Sequence, residues 1–225
     1  MKVFKMTKTE ESLKKRVVDQ LYWDDRVDAS DINVEVHGST VKLLGNVPSY
    51  RAREDAVLDA WTIDGVSGVE NEIEVEFPTT YKVPTDDTIQ TKIDNRLLWN
   101  TYIDSTDVDT KVDAGFVQLE GTVDAYWKKI RAEQLATDVD GVIDIQNEIA
   151  VVPTESIVDK AIAEDITSAL DRNLNVDVDD VNVRVKNGEV TLTGTVPSWS
   201  AYRAAINAAE FTAGVIEIED SLKIE

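Results

Sequence analysis

Apolar residues recur along this chain in two alternating rhythms. Leu13, Val17 and Leu21 stand four apart, as do Ile89, Ile93 and Leu97 and, later, Ile162, Ile166 and Leu170. That spacing puts each trio on one face of an amphipathic helix. Polar residues at Thr9, at Thr85 and in the run Thr154-Glu155-Ser156 mark the expected helix starts. After each stripe the rhythm shortens to two. Ile32, Val34 and Val36 alternate with polar residues, as do Val41 and Leu43, with His37-Gly38-Ser39-Thr40 between them. This predicts a β-hairpin. The third copy is the clearest: Val181, Val183 and Val185, then Lys186-Asn187-Gly188-Glu189, then Val190 and Leu192. Asn-Gly suits the positive φ angles of a tight hairpin turn. The middle hairpin is expected to turn at Asp113-Ala114-Gly115-Phe116.

Fixed landmarks show that these windows are copies of one unit. Gly45-Asn46-Val47, Gly121-Thr122-Val123 and Gly194-Thr195-Val196 each close a predicted second strand. Gly65-Val66, Gly141-Val142 and Gly214-Val215 follow at one constant interval, and Asn71, Asn147 and Asp220 follow those. Between the two glycines, alanines four apart (Ala56 and Ala60, Ala132 and Ala136, Ala205 and Ala209) predict a second helix lying close on a sheet. Pro48-Ser49 and Pro197-Ser198 lead into that helix, and Asp124 replaces the proline in the middle copy. The second glycine is expected to cap the helix in a left-handed conformation, with alternation resuming in a third strand. The fold class is therefore α+β: three tandem αββαβ modules, each with two helices packed on one face of a three-stranded sheet. The expected domains are 1–77, 85–152 and 153–225, with 78–84 a linker that Pro78 and Pro84 stiffen.

Charge narrows the function. The chain carries 44 acidic and 23 basic residues, a net charge of −21. Residues 1–77 hold 10 basic and 16 acidic groups, 78–152 hold 7 and 14, and 153–225 hold 6 and 14, so the modules come out at −6, −7 and −8. An evenly acidic surface repels phosphates, which disfavours nucleic acid. No apolar run reaches the roughly 20 residues of a membrane span. Met1 to Ser12 has the pattern of neither a signal peptide nor an anchor. A cytoplasmic location is expected on that basis, with the periplasm as the alternative if a native leader belongs to the chain. No cysteine is present, so there is no disulfide and no thiolate ligand or nucleophile.

The pattern of Gly45-x-Val47-Pro48-Ser49, Arg53, Ala56 and the closing run Gly65-Val66-x-x-Val69-x-Asn71-x-Ile73-x-Val75 resembles the BON domain. This bacterial module is found in osmotically induced periplasmic proteins and other envelope-associated proteins. The third copy carries the resemblance through Gly194-x-Val196-Pro197-Ser198 and Gly214-Val215, the second through Gly121-x-Val123, Gly141-Val142 and Asn147. The resemblance implies a non-catalytic αββαβ module that attaches proteins to phospholipid surfaces, with stress-response and chaperone-like roles in some members.

The residues themselves point the same way on catalysis. The one histidine, His37, falls in a hairpin turn where the other copies have Asp113 and Lys186, and no nucleophile elbow, zinc-hydrolase or phosphate-loop motif is present. No catalytic residue, cofactor or metal ligand is assigned, and the protein is read as no enzyme. Asp24, Asp25, Asp28 and Asp31, with Asp104, Asp107 and Asp109 and then Asp177, Asp179 and Asp180, are read as solvated loops; they lack the glycine and distal glutamate of a calcium-binding loop. Candidate binding residues lie at the start of the second helix: Tyr50, Arg51 and Arg53; Tyr126, Trp127, Lys128 and Lys129; and Trp199, Tyr202 and Arg203. Aromatic and basic side chains together suit a phospholipid surface or a protein partner; packing over the hairpin end is the competing explanation. Trp23 and Trp99, near the ends of the first helices, are expected to pack at the module edge. A binding or scaffolding protein with several weak, similar faces is the leading function. A cytoplasmic small-ligand or cation sensor working by rearrangement between modules is the alternative.

Overall fold

A computed structural model describes residues 7–225. The first six residues of the alternating start lie outside the described residues. The chain forms two compact units, one ending at Lys82 and built from the first module, the other running from Val83 to Lys223 and built from the second and third.

In the first module α1 (Lys8–Trp23) buries Leu13, Val17 and Leu21. It begins two residues earlier than a cap at Thr9 would give. Thr7 is the cap: its hydroxyl accepts from Glu10 N, and the Glu10 carboxylate accepts from Thr7 N. Two backbone donors are satisfied reciprocally, which an unpaired Thr9 start would not achieve. β1 (Ile32–His37) and β2 (Thr40–Val47) form the antiparallel hairpin, α2 (Tyr50–Thr62) crosses back, and β3 (Gly68–Val75) pairs parallel to β2. His37 ends β1, exposed. The order β1-β2-β3 leaves Val34, Val36, Val41, Leu43, Val47 and Ile73 on the face that meets both helices.

The second unit repeats this twice. α3 (Asp86–Leu98), β4 (Val108–Asp113), β5 (Phe116–Val123), α4 (Tyr126–Thr137) and β6 (Asp144–Val151) form one module. α5 (Asp159–Asp171), β7 (Val181–Lys186), β8 (Glu189–Val196), α6 (Trp199–Glu210) and β9 (Glu217–Ile224) form the next. Sheet order is again first-second-third strand. α5 starts at Asp159 after Val158, not in the run 154–156, and has no side-chain cap.

The two glycine landmarks do different work. Gly45, Gly121 and Gly194 have φ of +114°, +118° and +136°, and a Cβ there would come within about 2 Å of the carbonyl oxygen of Asp31, Asp107 or Asp180. The backbone that enters the first strand lies directly on them. Gly65, Gly141 and Gly214, expected to cap the second helices, do not: the caps are Ile63, Asp138 and Phe211. The helices end three to four residues earlier, and each glycine, with φ near +90°, turns the chain into the third strand. The reason is length: the last helical turn must stop before the chain can come back level with the hairpin tip, where Ser67 N, Ile143 N and Ile216 N donate to Ser39, Gly115 and Gly188.

Candidate functional site

The start of the second helix, where the sequence concentrates aromatic and basic residues, takes a different form in each module. In the first, Ser49 caps α2 by accepting from Ala52 N, and Tyr50, the next residue, is buried. The Arg53 guanidinium lies 4.4 Å above the Tyr50 ring, and Arg51 Nε bonds Asp55 one turn on at 3.0 Å. In the third, Trp199 and Tyr202 stack at 4.9 Å with their planes 13° apart, and Arg203 lies 6.0 Å over Trp199. The Tyr202 hydroxyl donates to Asp220, the repeat-landmark acid on β9, and burial together with that carboxylate raises the phenol pKa well above its ordinary value.

The middle module departs furthest. Trp127 sits edge-on to Tyr102 at 5.5 Å, with the Lys128 ammonium 5.7 Å above its ring and 2.6 Å from Asp124. Lys129 reaches Glu217 of the following module at 3.6 Å. Tyr126 is half-buried; desolvation, with Glu217, Glu210 and Glu133 nearby, pushes its phenol up to about 12. Tyr126 and Lys129 thus lie where the second and third modules meet. Of the ten candidate residues, Arg51, Arg53, Lys128 and Lys129 pair with acids, Tyr202 bonds Asp220, and Tyr50 is buried in packing.

The space between the two helices also diverges. In the first module Asp24, Asp55 and Asp59 share it with Arg26, Arg51 and Gln20: Arg26 bonds Asp24 at 2.5 Å and Asp55 at 3.4 Å, and Gln20 donates to Asp59 at 3.0 Å. Arg26 holds the Asp24 carboxyl down at about 2, whereas burial, helped by the Asp24 charge, raises that of Asp59. In the third module the positions matching Asp55 and Asp59 are Ala204 and Ala208. A groove of about 850 Å³ opens there, with Trp199, Arg203, Arg172 and Phe211 on its walls.

A family model for the BON domain matches residues 9–76, 85–153 and 158–225, nearly the whole chain. The chain belongs to the BON domain family. Osmotically-inducible protein Y of Escherichia coli (strain K12) is 34% identical over 128 residues, a stretch covering 56% of this chain and 64% of that protein, so the match leaves about a third of the relative's length unspanned. Among solved structures, the C-terminal domain of CdsD, a structural protein of the type III secretion system of Chlamydia trachomatis, aligns over 99% of this chain and 100% of its own at 12% identity and a TM-score of 0.27. A second CdsD structure aligns over 94% and 90% at 13% identity and a TM-score of 0.26.

The BON modules expose their largest apolar side chains elsewhere than at the second helix. Trp23 and Trp99, expected to pack at the module edge, are 81% and 80% exposed. Trp23 ends α1 and Trp99 follows α3 as its C-cap. Tyr22 stands beside Trp23 with the rings edge to face, and Leu98 and Tyr102 extend the exposed surface of the middle module toward Trp127. The matching residue of the third module is Arg172. Trp61, near the end of α2, is half-buried against the first module's core.

The Asp-rich loops form turns: Asp28 accepts from Ser30 N, Asp104 from Thr106 N and Asp177 from Asp179 N. Among the described residues no group of three or more His, Asp or Glu is arranged to hold a metal ion, and no helix is long and apolar enough to cross a membrane. One recurrent feature escaped the sequence reading. Glu10, Asp86 and Asp159, in the first turn of each first helix, accept from the hairpin-turn amides of Gly38, of Ala114 and Gly115, and of Asn187 and Gly188. The signal was an acid recurring at the repeat interval, hidden in a chain rich in acids.

Proposed function

We propose that this BON protein is a non-enzymatic, stress-associated binding protein that docks on phospholipid surfaces through the exposed aromatic ends of its first and second modules. The exposure of Trp23 and Trp99 at one position of the repeat supports this reading above all. Tryptophan and tyrosine rings favour the headgroup level of a bilayer, where an apolar ring and a polar edge are both accommodated. Two such sites on one chain add by avidity. The net charge of −21 selects the surface: an anionic bilayer repels the chain, so zwitterionic headgroups are preferred, and salt narrows the difference. The resemblance to exported envelope proteins favours the periplasm over the cytoplasm as the place of action.

Cosedimentation with phosphatidylcholine vesicles tests this. The wild type is expected to pellet, and the double variant Trp23→Ala/Trp99→Ala to lose about tenfold or more in affinity, since each ring forfeits its apolar transfer energy. Equal pelleting of the two proteins, or none by the wild type, overturns it. A protein partner seated in the 850 Å³ groove of the third module is the second reading. Phe211→Ala on the groove wall would then weaken partner capture and leave vesicle binding unchanged.

A further inference from the structure

The outward side of the helix pair is closed within the chain in the first module and open in the third. Asp55 and Asp59 are buried there and bonded by Arg26, Arg51 and Gln20. Arg131 and Leu135 stand at the matching places of the second module. In the third, Ala204 and Ala208 leave the groove of about 850 Å³, and Phe211 stands at its edge, 64% exposed. A large apolar ring beside a groove is the form of a knob and a hole on one surface.

Charge is ordered along this groove. Gly214, just past α6, lies against Ile162 near the start of α5, so the two helices run antiparallel. Arg172, which caps the end of α5, therefore stands at the end of the groove where α6 begins, with Trp199 and Arg203. Asp165, three residues on from Ile162, shares the opposite end with Phe211, three residues before Gly214. Seven residues of helix, about 10 Å, separate Asp165 from Arg172. Both are exposed, and among the described residues neither side chain is paired within the chain.

We propose that this groove is a self-association face that seats the third module of a second copy of the chain. A base at one end and an acid at the other are self-complementary under a twofold axis that crosses the helices, which lays α5 on α5 and α6 on α6, each pair antiparallel. Asp165 of each copy then meets Arg172 of the other, and Phe211 enters the groove over Ala204 and Ala208. A twofold axis along the helices would instead bring the two arginine ends together. Four helices of 12 or 13 residues, about 18 to 20 Å long, make a contact at the small end of specific interfaces, so the dimer is weak and concentration-dependent. Chains of charge −21 repel at long range, but at about 0.15 M salt that repulsion is screened beyond about 8 Å, and a pair in contact is screened less. The inference rests on the reading of the groove as a protein-docking site and names its occupant.

Sedimentation velocity of the full chain between about 5 and 500 μM at about 0.15 M salt is the test. The mass of the wild type is expected to rise with concentration from 25.0 kDa toward twice that value. Arg172→Asp and Asp165→Arg each set like charges face to face across the axis and should weaken association about tenfold or more. The first makes the chain more acidic and the second less, so a loss in both comes from the contact and not from net charge. The double variant Asp165→Arg/Arg172→Asp restores the pair with its signs exchanged and should return to within about threefold of the wild type. Phe211→Ala should weaken association at least about fivefold. All three positions are exposed, so each variant is expected to keep the circular dichroism spectrum of the wild type. A wild type that stays at 25.0 kDa throughout overturns the proposal, and the docking reading survives that result if Phe211→Ala still weakens capture of a different protein. Single variants that associate as the wild type does, or a double variant no better than the singles, overturn it as well.

Discussion

The acid pair between the helices of the first module shows how two identical side chains acquire opposite behaviour. Asp24 is held down at about 2 by Arg26, so its contribution to stability is present above the ordinary carboxylate range and is lost as pH falls toward 2. Asp59 is raised by burial and by the Asp24 charge. An unfolded chain releases that proton near pH 4, while the folded one keeps it to higher pH, so this group lowers stability as pH rises from about 4 through its folded pKa. Asp59→Asn keeps an acceptor for Gln20 and a donor toward Asp24 while removing the ionisation. The variant is expected to melt a few degrees above wild type at pH 7, the gap closing toward pH 4. Thermal scans across that range check it, and a variant less stable than wild type at pH 7 contradicts it.

At the scale of elements, the modules differ most in how the second helix begins. Ser49 and Ser198 cap α2 and α6 by accepting from Ala52 N and Ala201 N, but Ala125 at the corresponding place before α4 offers no acceptor. Asp124 compensates in part, pairing with Lys128 one turn on. Ala125→Ser should therefore stabilise the second module by about 0.5 to 1 kcal/mol. Chemical denaturation should show a higher midpoint with an unchanged slope. The hairpin turns were legible in advance because Asn187-Gly188 and Ala114-Gly115 carry the positive φ angles that tight turns demand. The helix starts at Lys8 and Asp159 were not, since several polar residues precede each stripe and only the hydrogen-bonded geometry selects among them.

For the whole molecule, electrostatics is a cost spread evenly over three modules. Surface pairs such as Lys42 with Glu72 and Lys111 with Glu120 contribute little in high dielectric and weaken with salt. The repulsion among 44 acids facing 23 bases also weakens, and it is the larger quantity because 21 acids have no base to answer them. Melting temperature is thus expected to rise by several degrees between about 0.02 and 0.5 M sodium chloride, where the Debye length falls severalfold. Differential scanning calorimetry reads it directly. A fall in Tm with salt would mean that the ion pairs outweigh the net repulsion.

The triplication, the αββαβ order and most of the core were determined by the sequence alone. The four-residue and two-residue apolar periods, and glycines where backbone meets backbone, are local demands that any fold of this chain must meet. Tertiary structure decided which polar and aromatic residues are available to bind. Tyr50, buried and packed against Arg53, and Lys129, engaged with Glu217 of the next module, look in one dimension like the free side chains of a binding face. Trp23 and Trp99, which the sequence places at a packed module edge, stand in solvent. Periodicity reports which side of its own element a residue occupies. What lies across from that side is set by segments tens of residues away, and no local pattern encodes it.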